Sequence, residues 1–134
     1  MNSQQAERAV RILLCLGGVL TASAFLTVAM PTALMASTHE RLGFGQFPDG
    51  PIVQYLARSV SAFYGFHGVL LFVVASDPAR FKPIVIYLAA FNIIFGLMLI
   101  AIDLHAGMPT WWTISEGPSI IVIGLLLAMF GRRL

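Results

Sequence analysis

Four long apolar runs, at residues 10–36, 51–76, 83–104 and 113–130, leave few folds open to this chain. Each approaches or exceeds the ~20 residues that an α-helix needs to cross a ~30 Å hydrocarbon core. In lipid every backbone N–H and C=O must be satisfied within the protein, and a helix does this inside each segment. The expected fold is therefore all-α: a polytopic membrane protein with four transmembrane helices in an antiparallel bundle, one domain over residues 1–134. Composition agrees, because 58% hydrophobic and 10% charged residues do not furnish a water-facing surface.

The stretches between the runs, 37–50, 77–82 and 105–112, are rich in Pro, Gly or charge. Asp49-Gly50-Pro51 supplies a cap candidate followed by a proline suited to a first helical turn, and Pro83 opens the third helix in the same way. Asp77-Pro78 ends the second helix, since a residue before proline avoids the α region. Pro31 falls late in the first run and should kink it or end it early. Ala22-Ser23-Ala24 matches an A-x-A cleavage pattern, but the apolar run continues well past a signal-type core, so the segment reads as a retained span. Thr113-Ile114-Ser115-Glu116 has capping-box spacing at the start of the fourth helix, with Pro118 as a tolerated bend.

A net charge of +2 invites a nucleic-acid reading only until the positions are considered. Arg8, Arg11, Arg80, Lys82, Arg132 and Arg133 all lie at segment ends, as membrane anchors do, and no basic face with interleaved aromatics exists. The opposite side has Arg41 alone, with Arg58 inside the second run. This asymmetry predicts that both ends and the 77–82 turn are cytoplasmic. Trp111 and Trp112 then serve as interface anchors on the outer side, where an indole buries its ring and keeps its N–H wet. The single cysteine, Cys15, lies in the first run and reads as a packing residue.

Charged and polar groups inside a membrane are costly and need a partner or a purpose. Arg58, Asp103 and Glu116 sit at similar depth near the outer end of three different runs and form a candidate cluster. Three roles fit it: an ion cluster that locks the bundle, a site for a substrate or lipid headgroup, and plain snorkelling to the interface. Deeper in the membrane, His67 and Asn92 are natural interhelical partners, with Tyr64 one turn from His67. Arg58 and His67, nine residues apart, point to opposite sides of their helix, whereas Asn92, Gly96 and Asp103 fall nearly on one line that should face the interior. His67 has no second ligand at its depth, so no metal site and no cofactor is expected. Small residues at helical spacing, Gly17 with Thr21, Gly18 with Ala22, Ser61 with Gly65 and Gly124 with Ala128, suit close helix approach, within the chain or between copies. The 37–50 loop, with His39, Glu40, Arg41 and then Leu42, Phe44 and Phe47, suits a short amphipathic turn on the membrane surface as well as a simple connection.

The run Arg58 to Gly68, then Ala75-Ser76-Asp77-Pro78, Asp103 to Gly107, Trp111-Trp112 and Glu116-Gly117-Pro118, resembles small uncharacterised bacterial four-helix membrane proteins. In general layout it is similar to the broad DoxX-like group over roughly residues 31–130. The resemblance implies a bacterial inner-membrane location and a four-helix fold, and it carries no agreed activity.

No motif states a reaction. The leading expectation is a small membrane protein acting by association, as an accessory subunit or a lipid-associated bundle. Its partners would be membrane lipids, further copies of itself or a larger membrane complex, and not nucleic acid. The alternative is an enzyme or carrier for a lipophilic small molecule, with its polar site at the outer end of the bundle. A guanidinium beside a carboxylate favours the ionised form, which counts against general-acid work there.

Overall fold

The computed structural model describes residues 2–134. The described residues form six helices and no strand: α1 Ser3–Ala22, α2 Phe25–Val28, α3 Thr32–Arg41, α4 Pro51–Ser76, α5 Lys82–Ala106 and α6 Thr110–Gly131. Four stretches are long and apolar enough to cross a membrane: Ser3–Val28, Pro51–Ser76, Lys82–Ala106 and Thr110–Gly131, of 22 to 26 residues. At a rise of 1.5 Å per residue they reach about 33 to 39 Å, enough for a hydrocarbon core. The protein is an all-α, multi-pass membrane protein, as its apolar runs predict.

The first helix begins at Ser3, earlier than the expected residue 10, because a reciprocal capping box forms there. Gln5 N–H donates to Asn2 Oδ1 at 2.9 Å, and Asn2 N–H donates to Gln5 Oε1 at 3.1 Å. An ion pair one turn apart, Arg11 with Glu7 at 2.9 Å, supports this polar start. The other end is also revised. Ser23 and Ala24 tighten the backbone into i→i+3 bonds, and Pro31, at φ −58° and ψ 139°, ends the span as foreseen. A new helix, α3, then carries the chain to Arg41 where a loop was expected from residue 37.

α4 has the predicted bounds. Gly50 C=O accepts the first helical bond from Gln54 N–H, which leaves Pro51 in the first turn where its missing N–H costs nothing. α5 starts at Lys82 with Pro83 in the first turn and ends at Gly107, whose φ of 69° only glycine adopts freely. Gly107 N–H and Met108 N–H both donate to the Asp103 carbonyl, closing the helix. α6 starts at Thr110, behind Pro109, so Thr113 already lies inside the helix and the predicted capping box does not form. Pro118 is carried within α6 without interrupting it.

The chain divides into two compact units. One comprises Leu16–Phe72. Here α1 and α2 run antiparallel to α4, and small residues set the contact: Gly17 faces Leu71, Gly18 faces Phe72, Gly68 faces the Ala22 backbone and Gly65 faces Phe25. Phe25 also meets Phe66 edge-on, with ring centres 5.2 Å apart.

The other unit comprises Met1–Cys15 and Val73–Leu134. Within it α5 and α6 pack along their length as an antiparallel hairpin. Gly117, Gly124 and Gly131 recur every seven residues on α6, and all three are buried. They face Gly96 and Ile100, then Ala89 and Ile93, then Val85 on α5. A Cβ on Gly117 would lie 2.8 Å from the Gly96 carbonyl oxygen, and one on Gly96 would lie 2.7 Å from the Gly117 carbonyl oxygen, so the two backbones touch. Such close approach is what small residues contribute in lipid, where there is no hydrophobic force to press helices together. At the hairpin's open end, Lys82 Nζ donates to the backbone oxygens of Leu134 at 2.6 Å and Arg132 at 3.3 Å, tying the residues that follow α6 to the start of α5.

Candidate functional site

The α5–α6 hairpin is asymmetric in charge. Its open end holds Lys82 and Arg132, with Arg80 and Arg133 beside them, while its closed end holds Asp103 and Glu116. The last apolar layer of the seam is Ile100 against Gly117. One turn beyond it come Asp103 on α5 and Thr113 on α6, with Glu116 adjacent to Gly117.

Asp103 is 4% exposed. Its buried Oδ2 has no hydrogen-bond partner among the described residues. Thr113 is buried as well, at 9%. Glu116 is half-buried, next to Gly117, which faces Ile100 one turn before Asp103. Its Oε2 accepts a hydrogen bond of 2.7 Å from Trp112 Nε1, one turn earlier on the same helix. The Trp112 N–H is thus bound to a carboxylate and not left to interfacial water as the sequence suggested. Trp111 stands edge-on to Trp112, ring centres 5.4 Å apart, and is 45% exposed, as suits an interface anchor.

The polar and small line predicted on α5 is present in part: Gly96 and Asp103 are buried, and Asn92 is half-buried between them and the helix start. Asn92 Nδ2 donates to the Leu88 carbonyl of its own helix at 2.8 Å, where a partner on another helix was expected. Tyr64 and His67 lie half-buried on α4.

Arg58 belongs to the Leu16–Phe72 unit, whereas Asp103 and Glu116 belong to the other. In its own unit Arg58 has a role the sequence did not disclose. Its guanidinium donates to the Val28 carbonyl at 2.5 Å and to Gln54 Oε1 at 3.5 Å, and Thr32 Oγ1 donates to the same Gln54 oxygen at 3.1 Å. Val28 ends α2 just before the Pro31 break, where no further helical N–H follows to bind its carbonyl. Arg58 is therefore the cap of a broken helix, a charge-assisted bond to a backbone group otherwise stranded at membrane depth.

Beyond α3 the chain curls around His39. Its Nδ1–H donates to the Gly45 carbonyl at 3.1 Å, and its ring meets Phe44 and Phe47 with centres 5.3 and 5.4 Å away. Gly43 and Gly45, at φ 80° and 84°, allow the reversal. Among the described residues no group of three or more His, Cys, Asp or Glu side chains could hold a metal.

Comparison with protein-family models, curated proteins and solved structures finds no match to this chain.

Proposed function

We propose that this protein is a lipid-associated membrane protein that holds the polar head of an amphiphilic molecule at the closed end of the α5–α6 hairpin. The observation that carries this is Asp103: a carboxylate 4% exposed, one oxygen without a partner, at the same end of the hairpin as Glu116. Such a group is expensive in a membrane, and a merely structural residue would have its oxygens satisfied. The same end of α6 supplies the Thr113 hydroxyl, the Glu116 carboxylate and the Trp112 indole, polar groups that suit holding a headgroup. Association through small-residue faces has less support, because Gly17, Gly18, Gly65 and Gly124 are engaged within the chain's own helix pairs.

The proposed location is a bacterial inner membrane, in keeping with the DoxX-like layout. Both chain ends and the 77–82 turn lie in the cytoplasm, and the Asp103 site lies at the outer face. The clustering of Lys82 and Arg132 at one end of the hairpin and of Asp103 and Glu116 at the other supports this orientation.

Native mass spectrometry of the protein, extracted gently from its own membrane, tests the function. A chain carrying one specific lipophilic molecule, lost in Asp103→Asn, is expected. A ligand-free chain, or a defined larger protein assembly without such a molecule, would overturn the reading.

A further inference from the structure

The amphiphile-binding reading leaves the chemistry of the headgroup open, and the partnership of atoms at the site narrows it. Asp103 Oδ2 is a buried acceptor without a donor. A neighbouring carboxylate, Glu116, already takes the Trp112 N–H on one of its oxygens. A carboxylate presents acceptors only, so a group that brings N–H donors and positive charge together would satisfy both acids at this end of the hairpin. Arg80, Lys82, Arg132 and Arg133 lie at the far end of the same hairpin, a helix length away.

We infer that the site takes a primary-ammonium headgroup, resting on the amphiphile-binding reading above. The ammonium is compact, carries a full positive charge and presents three N–H donors. Its donors match in kind the unpartnered Asp103 Oδ2 and the acceptor capacity that Glu116 keeps beyond its bond from Trp112. A quaternary ammonium brings the charge without a donor and leaves the buried oxygen stranded. An alcohol brings a donor without the charge. The alkyl chain of the ligand would lie in the surrounding hydrocarbon. A lipid with an ethanolamine head and a free long-chain amine share this chemistry.

The chain has two tryptophans, both at the site, so intrinsic emission reports occupancy directly. The full chain is placed in phosphatidylcholine nanodiscs and titrated with n-dodecylamine, dodecyltrimethylammonium and dodecanol. Dodecylamine is expected to give a saturable change in emission at a concentration at least tenfold lower than either of the other two. Asp103→Asn is expected to raise that concentration tenfold or more with its helical signal and melting unchanged. If Asp103→Asn fails to fold, Glu116→Gln, which keeps an acceptor for Trp112, should show a weakened amine response. Repeating the titration in discs containing phosphatidylethanolamine separates the sources: competition assigns the lipid headgroup, and undiminished response assigns a free amine, either of which upholds the class. Equal response to amine and trimethylammonium, or an Asp103→Asn variant that binds amine like wild type, overturns the primary-ammonium assignment while leaving an amphiphile site standing. No response to any of the three overturns the binding reading itself.

Discussion

The glycine seam of the hairpin makes a prediction whose size follows from the geometry. Gly117→Ala places a methyl 2.8 Å from the Gly96 carbonyl oxygen and closer still to Ile100 Cγ1, well inside van der Waals contact. The obstructing oxygen belongs to the backbone, so a rotamer change cannot relieve it and the helices must separate. Overpacking of this kind costs about 3 kcal/mol at the upper end. Replacing glycine by alanine in a helix returns about 1 kcal/mol of propensity, leaving a net loss of about 2 kcal/mol. Gly124→Ala meets the Ala89 carbonyl oxygen and Ile93 N–H nitrogen, each at 2.9 Å, and should behave alike. Gly131→Ala is the control. Its methyl meets Val85 Cγ1 at 3.0 Å and Ile86 Cδ1 at 3.3 Å, side-chain atoms and not backbone. There a cost of about 1 kcal/mol is offset by the same propensity gain, and the net effect should be about zero. Reversible unfolding in mixed micelles, followed by helical circular dichroism, measures all three. Equal stabilities for Gly117→Ala and Gly131→Ala would refute backbone contact as the basis of the hairpin.

Other consequences are open to equally direct checks. Arg58→Leu strands the Val28 carbonyl and should cost about 1 to 3 kcal/mol, with faster amide exchange across residues 25–35 as its local signature; unchanged exchange there would remove the capping role. Asn2→Ala with Gln5→Ala should fray the first turns of α1, a loss of about 1 kcal/mol, read as accelerated exchange at residues 3–8 with the rest of the chain unaffected. In a Cys15→Ser background, Gln46→Cys should react with a membrane-impermeant maleimide in intact cells and Ala79→Cys only after permeabilisation; the reverse pattern would invert the proposed orientation.

Much of the architecture is legible in sequence because lipid imposes a simple length and polarity requirement. Pro51, Pro78 and Pro83 mark helix ends by removing a donor or restricting a dihedral, and α4 and the start of α5 follow them closely. The first helix is less transparent. Asn2 and Gln5 start it in polar sequence, outside any apolar run, so hydropathy places its start too late. The capping-box spacing at Thr113 misleads for the opposite reason: Pro109 already starts α6 upstream, and Glu116 bonds Trp112 instead. The seven-residue recurrence of Gly117, Gly124 and Gly131 was available as a pattern, but pairs four apart draw the eye first in a membrane helix.

The polar residues divide along similar lines. Depth alone groups Arg58, Asp103 and Glu116 near the outer ends of three runs, and the short turn between α5 and α6 puts the two acids at one end of a hairpin. Depth does not tell what each group bonds. Asn92 satisfies its amide on Leu88 one turn away, and Arg58 reaches a backbone carbonyl exposed by a proline break thirty positions earlier in the chain. A carbonyl carries no sequence identity, so a side chain that caps one leaves no motif to find.

The central claim, an amphiphile headgroup held at Asp103 and Glu116, is tested most directly by photocrosslinking. An alkylamine carrying a diazirine next to its amine is irradiated with the protein in nanodiscs, and the labelled residues are mapped by mass spectrometry. The account expects labelling concentrated within residues 100–117, competed by unlabelled amine and lost in Asp103→Asn. Labelling spread evenly along the lipid-facing sides of the helices, indifferent to competitor and to the substitution, would contradict it.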